Sequence, residues 1–257
     1  MKLLLSLSLF FSLSVLASPR IITLDETNSI NFNDAFTGQY VAEKQVEAMK
    51  LCDKEGKDIY ISLYSPGGSV AAGELFIDTL NALPCNFHTI SIFSASMSFI
   101  TSQSLGQRLA IPSGVLMSHR ASIGGVKGTI GGTFDSFMKL INTNIDEIDE
   151  KVAKRAGMTK EEYKKIIADD LWMTTEVAKK LNFIDETVLV KCDMNLVRES
   201  FTKTVRVLFG SFDVELSKCP LITNPVKVTA RAGTPEELVE RFTQDYINIE
   251  NRVYLSE

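Results

Sequence analysis

The feature that most constrains this chain is a unit that occurs twice in succession. KDIYISLY (57–64) is β-branched and aromatic and stops at the turn SPGG (65–68). SVAAGELFIDTLNAL (69–83) then has helical spacing and ends before Pro84. FHTISIFS (87–94) reads as the next strand and SMSFITSQSL (96–105) as the next helix. Strand, turn, helix in repetition predicts parallel βαβ units with right-handed crossovers, whose functional loops gather at the carboxyl ends of the strands.

The flanking segments extend the pattern. RIITLD (20–25) alternates as a strand, and 38–52 has the apolar spacing of a helix at Val41, Ala42, Val46, Met49 and Leu51. QRLAIP and GVLMSH predict two short strands bracketing Ser113-Gly114, followed by the glycine-rich RASIGGVKGTIGG (120–132). Residues 133–156 predict the longest helix, with Phe134, Phe137, Met138, Ile141, Ile145, Ile148 and Val152 at three- and four-residue steps. Helices follow in MTKEEYKKII and in TTEVAKKL, the second capped by Thr174, and NFIDETVLV (182–190) predicts a strand. Beyond Lys191 the pattern changes, to a hairpin turning at Gly210 and Ser211 and a helix opening at Thr234 and Pro235.

Residues 1–17, MKLLLSLSLFFSLSVLA, carry one early lysine, an apolar and serine run, and Val15 and Ala17 spaced as at an A-x-A cleavage site. They predict a secretory signal peptide, hence a periplasmic or secreted protein starting near Ser18 with no membrane span after cleavage. About 240 residues remain, enough for one α/β core with a small appendix. The formal charge of −5 argues against nucleic acid as a partner. Cys52, Cys85, Cys192 and Cys219 in an exported chain permit disulfides, with three pairings open, and no Cys/His spacing suggests zinc or another cofactor.

FSASMSF (93–99) puts three serines, Ser94, Ser96 and Ser98, where a strand hands over to a helix, although a buried hydroxyl without a partner costs about 1–3 kcal/mol. A serine at a helix start is ordinarily a cap, but free N–H groups there also favour developing negative charge. A nucleophilic serine needs a base, and the chain has two histidines. His88 sits inside a strand with no turn nearby and reads as structural. His119 ends a strand and precedes the glycine-rich loop, where an open sheet presents ligands. The two glycines of SPGG let a backbone approach a ligand and aim N–H groups at it. Spacing alone selects no orienting carboxylate.

In order, DIYISLYSPGGSVAAGELFIDTL, SASMSF, RLAIPSGVLMSHRASIGG and GMTKEEYKKIIADDLWMTTEVAKKLNFID resemble the blocks of the ClpP peptidases, the proteolytic subunits of the Clp protease, over roughly residues 20–190. The resemblance implies a ClpP/crotonase-like α/β fold of repeated ββα units with a parallel sheet, over 18–190, with 191–257 a C-terminal α+β extension outside the family core. It implies a serine endopeptidase in which Ser96 is the nucleophile, His119 the base and Asp170 the orienting acid, with Asp169 its nearest rival. The oxyanion hole falls on the N–H groups of Gly68 and Met97, and Gly124 and Gly125 fall on a strand offered to an extended peptide or unfolded protein substrate. The helix 133–156 falls on the element through which the family's rings stack, so a homo-oligomer is expected.

Three departures stand out. Ser98 replaces a family glycine, HRA replaces His-Gln-Pro, and the stretch between Ser96 and His119 is shorter by a residue or two. An export signal also argues against an ATP-driven AAA+ unfoldase as partner. The alternatives are a catalytically silent ClpP-like scaffold or binding protein and an enoyl-CoA-type enzyme on the related fold, which has no use for the Ser-His-Asp series.

Overall fold

The computed structural model of the chain describes residues 19–122, 132–207, 210–231 and 233. In chain order the elements are β1 (Ile21–Leu24), β2 (Ser29–Phe32), α1 (Gly38–Leu51), β3 (Asp58–Ser65), α2 (Val70–Ala82), β4 (Asn86–Ala95), α3 (Met97–Ser104) and β5 (Arg108–Ser118). There follow α4 (Thr133–Ala156), α5 (Lys160–Ile166), β6 (Leu171–Thr174), α6 (Thr175–Lys180), β7 (Glu186–Thr187) and β8 (Leu189–Cys192). The C-terminal part adds α7 (Met194–Arg198), β9 (Ser200–Val207), β10 (Gly210–Ser217) and β11 (Lys227–Ala230).

The main sheet has the order β2-β3-β4-β5-β6, with β7 beside β5. Every pairing in it is parallel except β5 with β6. The strands are covered on both faces, so β4 is buried almost continuously instead of alternating. Phe32, Ile61, Leu63 and Phe76 pack where α1 and α2 cover the sheet. Phe99, Leu116, Val152, Tyr163 and Phe183 pack where α3, α4 and α5 cover it, and a third cluster joins β1 and β8, which pair in parallel, to Ile90 and Leu109. This is the predicted mixed α/β architecture rich in parallel strands, and β9, β10 and β11 form the appendix as an antiparallel sheet.

Several expectations change in detail. QRLAIP and GVLMSH are one strand, β5, whose pairing with β4 jumps from Ser91↔Ala110 to Phe93↔Val115. The extra residues bulge outward, and the Thr175 hydroxyl donates to the carbonyls of both Ile111 (2.7 Å) and Gly114 (3.1 Å), holding the bulge closed. NFIDETVLV divides into β7 and β8, while β2, β6, α7 and β11 are elements that short, weakly patterned segments did not announce. Gly210 and Ser211 lie within β10, paired with Val207 and Arg206, so the hairpin reverses before them. The predicted signal peptide, Gly124, Gly125 and the helix after Thr234 lie outside the described residues.

The long helix α4 is uneven. Its second half buries Ile148, Val152, Ala153 and Ala156, whereas Phe137 is 47% exposed and Leu140 65%. An apolar stripe identifies a helix but not how much of it the same subunit covers.

Two disulfides form, Cys52–Cys85 and Cys192–Cys219. The first ties the end of α1 to the start of β4, and the second ties the end of β8 to the residue after Lys218. Loops of 33 and 27 residues are closed; on the chain-entropy model each closure is worth about 3.5–4 kcal/mol. Among the described residues the appendix has a core of Phe212, Val214 and Leu216 with a few half-buried neighbours. It therefore depends on its tether more than the main sheet does. In the Cys192→Ser/Cys219→Ser variant, brief trypsin treatment should cut first at Lys203, Arg206, Lys218 and Lys227 and leave the preceding chain whole by mass. Equal digestion of variant and wild type would refute this dependence.

Candidate active site

Three strand ends build the site. Ser96 follows β4 directly and stands at the N-terminus of α3 with φ 55° and ψ −121°. That backbone is strained for a residue with a Cβ, by about 1–3 kcal/mol. It is held on both sides, because Ser96 N–H donates to Met117 O (3.0 Å) and Ser96 O accepts from Ile100 N–H (3.1 Å). The Ser96 side chain caps nothing. Its Oγ lies 2.8 Å from Nε2 of His119.

The other two serines of FSASMSF satisfy one another. Ser94 Oγ and Ser98 Oγ are 3.1 Å apart and both residues are buried. The serine in place of the family glycine is thus a partner for Ser94, leaving Ser96 as the hydroxyl directed at the histidine.

His119 follows β5, and the preceding Ser118 shares a 2.7 Å hydrogen bond with the buried Tyr163 hydroxyl. Burial raises the Tyr163 pKa, Ser118 opposes the shift and Asp149 adds to it, so the phenol stays neutral as a clamp between α5 and β5. Antiparallel pairing of Ser118 with Leu171 then brings the residue before β6 opposite His119. That residue is Asp170, whose Oδ1 is 4.0 Å from His119 Nδ1. This is ion-pair range and too long for a hydrogen bond. Asp169 makes no ion pair with His119 among the described residues. His88 accepts from Gln107 N–H (3.0 Å) and faces Asp58 (3.3 Å). It lies eight residues back along β4 from Ser96, roughly 25 Å at strand rise.

The turn after β3 lies against the serine. Phe36 N–H donates to Gly67 O (2.8 Å) and Ser69 N–H donates to Phe36 O (2.9 Å), so the Gly68 N–H points away from Phe36. Gly68 lines one cavity of about 90 Å³ with Ser96, Met97 and His119. A Cβ on Gly67, whose φ is +96°, would meet Ser96 Cβ at 2.5 Å and Met97 N at 2.8 Å, so no side chain fits. Met97 is the first residue of α3, where an N–H has no carbonyl one turn back to bond. Two residues whose N–H groups are not taken up by the Phe36 pairing or by α3 thus line the cavity of the Ser96 hydroxyl, and α3 adds its positive end.

Gly67, which lets the turn approach Ser96, is visible in the sequence as the first glycine of Pro-Gly-Gly. Asp149 on α4, also lining the cavity, is the residue that sequence reasoning missed. Its signal was a carboxylate within the apolar stripe of Ile145, Ile148 and Val152. Among the described residues no cluster of His, Cys, Asp and Glu could hold a metal ion, and no helix is long and apolar enough to cross a membrane.

Residues 12–191 match the family model of Clp protease, which is more than half of the chain. Among curated proteins, the ATP-dependent Clp protease proteolytic subunit of Streptococcus pyogenes serotype M5 (strain Manfredo) is 32% identical over 137 residues, 51% of this chain and 68% of the relative. The subunit of the same name from Streptococcus equi subsp. equi (strain 4047) matches to the same extent.

Proposed function

This chain belongs to the Clp protease family, and on that premise we propose that it is a serine-type endopeptidase acting through Ser96, His119 and Asp170. The observation that carries the reading is the 2.8 Å contact between Ser96 Oγ and His119 Nε2, made by a serine whose strained backbone turns the hydroxyl off its ordinary capping role.

The chemistry is acyl transfer. Ser96 Oγ attacks a peptide carbonyl carbon while its proton passes to His119 Nε2. The oxyanion forms beside the Gly68 and Met97 N–H groups, where each such donor is typically worth about 3–4 kcal/mol. The imidazolium returns its proton to the leaving amine, the C–N bond breaks, and an acyl ester remains on Ser96. Water, deprotonated by His119, cleaves that ester and restores the serine. Asp170 holds the imidazole with Nδ1 protonated and stabilises the cation. For a hydrogen bond it must close on Nδ1 by about 1 Å, which its exposure permits, and such contacts tighten when substrate binds.

The substrate is an unfolded protein or an extended peptide, and the reaction consumes no nucleotide. Two disulfides support work in an oxidising space outside the cytoplasm, in keeping with the leader read in residues 1–17. That compartment supplies no ATP to an unfoldase. Exposed Phe137 and Leu140 on α4 support assembly with further copies of the chain.

One observation favours the silent scaffold instead, the 4.0 Å gap to Asp170. A serine-directed fluorophosphonate separates the two. Wild type should be labelled stoichiometrically, Ser96→Ala not at all, and His119→Ala at least about a hundredfold more slowly. A folded wild type that takes no label is a scaffold.

A further inference from the structure

Asp149 is a carboxylate that the mechanism above does not use. It is 8% exposed and lines the cavity that holds Ser96 and His119. Among the described residues it makes no hydrogen bond and no ion pair. The cations nearby are engaged elsewhere, since Lys164 pairs with Asp146 and Lys160 with Glu150 (3.8 Å). Arg120, in the exposed stretch after His119, acts on it only at longer range. Burial is the largest influence on Asp149 and raises its pKa. Lys164 opposes that shift, Asp146 adds to it, and Lys160 and Arg120 oppose it. A carboxylate that is partly desolvated at the wall of such a cavity and has no partner gains from a counter-charge brought to it.

The rest of the cavity wall indicates what brings one. Besides Ala121 and Ser122 it consists of Val70, Ile100, Ile145 and Ile148, so aliphatic side chains share the cavity with the Gly68 and Met97 backbone and the α4 carboxylate. A hydrocarbon stem with a cationic tip matches such a lining, because the stem covers apolar surface while the tip meets the charge. With the scissile carbonyl oxygen at Gly68 and Met97, the side chain of the residue that contributes this carbonyl is the one the cavity takes up.

We propose that Asp149 makes the enzyme prefer lysine or arginine at the residue whose carbonyl Ser96 attacks, by pairing with that side chain's cationic end. The proposal rests on the reading of Ser96 as the nucleophile. It assigns the apolar stripe of α4 a task in selecting substrate.

The test uses the full mature chain and two measurements. Peptidyl-coumarin substrates that differ only in lysine against norleucine at that position compare the cation with a neutral stem. Lysine should be favoured at least tenfold in kcat/KM, and in Asp149→Asn the lysine-to-norleucine ratio should fall at least thirtyfold. Separately, fluorescence titration with p-aminobenzamidine should show saturable binding to Ser96→Ala protein, weakened at least tenfold in Ser96→Ala/Asp149→Asn. The near-isosteric Asn variant should melt no lower than wild type at neutral pH, because a partly desolvated, unpaired charge is removed. Norleucine preferred, a ratio unchanged by Asp149→Asn, or probe binding indifferent to Asp149 would each overturn the proposal. Hydrolysis in the first two cases leaves the peptidase reading standing. Probe binding that depends on Asp149 in a chain that cleaves neither peptide and takes no fluorophosphonate supports the cation site and sinks the peptidase.

Discussion

Ser96→Gly is expected to lose peptidase activity by at least about a thousandfold and yet to be more stable than Ser96→Ala. Both substitutions delete the 2.8 Å hydrogen bond to His119, so that loss cancels in the comparison. Alanine keeps the Cβ that φ 55° disfavours, and glycine does not. Relief of about 1–3 kcal/mol, less the entropy glycine adds to the unfolded chain, leaves the glycine variant ahead by about 1 kcal/mol. Thermal unfolding of the two variants side by side reads the difference. If alanine melts at or above glycine, Ser96 is not strained and the turn from β4 into α3 has no stored cost. Retained hydrolysis in either variant would show that another group is the nucleophile.

Arg108→Met should be strongly destabilising, although it leaves the apolar core of the main sheet untouched. Arg108 is 4% exposed and opens β5, the strand whose far end presents His119. Its side chain donates to Asp185 from Nε (3.0 Å) and Nη2 (2.5 Å), and from Nη1 to Asn182 O (2.7 Å) and Gln103 Oε1 (3.2 Å). Its backbone N–H donates to the same carboxylate (2.8 Å). Methionine fills much of the volume but leaves the Gln103 and Asn182 oxygens without this donor and the carboxylate with only the backbone N–H of residue 108. A loss of about 3 kcal/mol is expected, the low end for a broken buried pair because Asp185 keeps 41% of its side chain in water.

The pair should also give the protein part of its acid sensitivity. Partial burial pushes the Asp185 pKa up, and the Arg108 side chain and backbone N–H outweigh that, so its folded value is depressed. A carboxylate depressed on folding contributes stability above its unfolded pKa and loses it as pH falls through the folded value. Urea unfolding at neutral pH and in acid should therefore show the Arg108→Met deficit shrinking as pH falls. A deficit independent of pH would mean that packing, not the ion pair, is what Arg108 supplies.

Much of the fold was legible because its signals are local. The β-branched runs 57–64 and 87–94, the Pro-Gly-Gly stop, Pro84 and the three- and four-residue spacing of 133–156 each act within one element. The two stretches around Ser113-Gly114 look like separate strands in the sequence for the same reason. A bulge closed by Thr175 depends on a residue some sixty positions away, and spacing carries no trace of it. β6 is four residues long and owes its existence to pairing with β5, so its own composition did not reveal it.

The site divides along the same line. Ser96 at a strand-to-helix junction, His119 at a strand end and the glycines at 67 and 68 are positions a reader of the chain can nominate, because turn chemistry and strand ends are written in short segments. The sequence by itself determined those chemical types, the elements that carry them and the cysteines available for pairing. Only the tertiary structure decided that Ser96 turns from capping to His119, that Asp170 stops at 4.0 Å, that Ser98 answers Ser94, and that Asp149 borders the same cavity without a partner. Distance between side chains on different elements is set by register, bulges and helix packing, and these are sums over the whole core that no short segment contains.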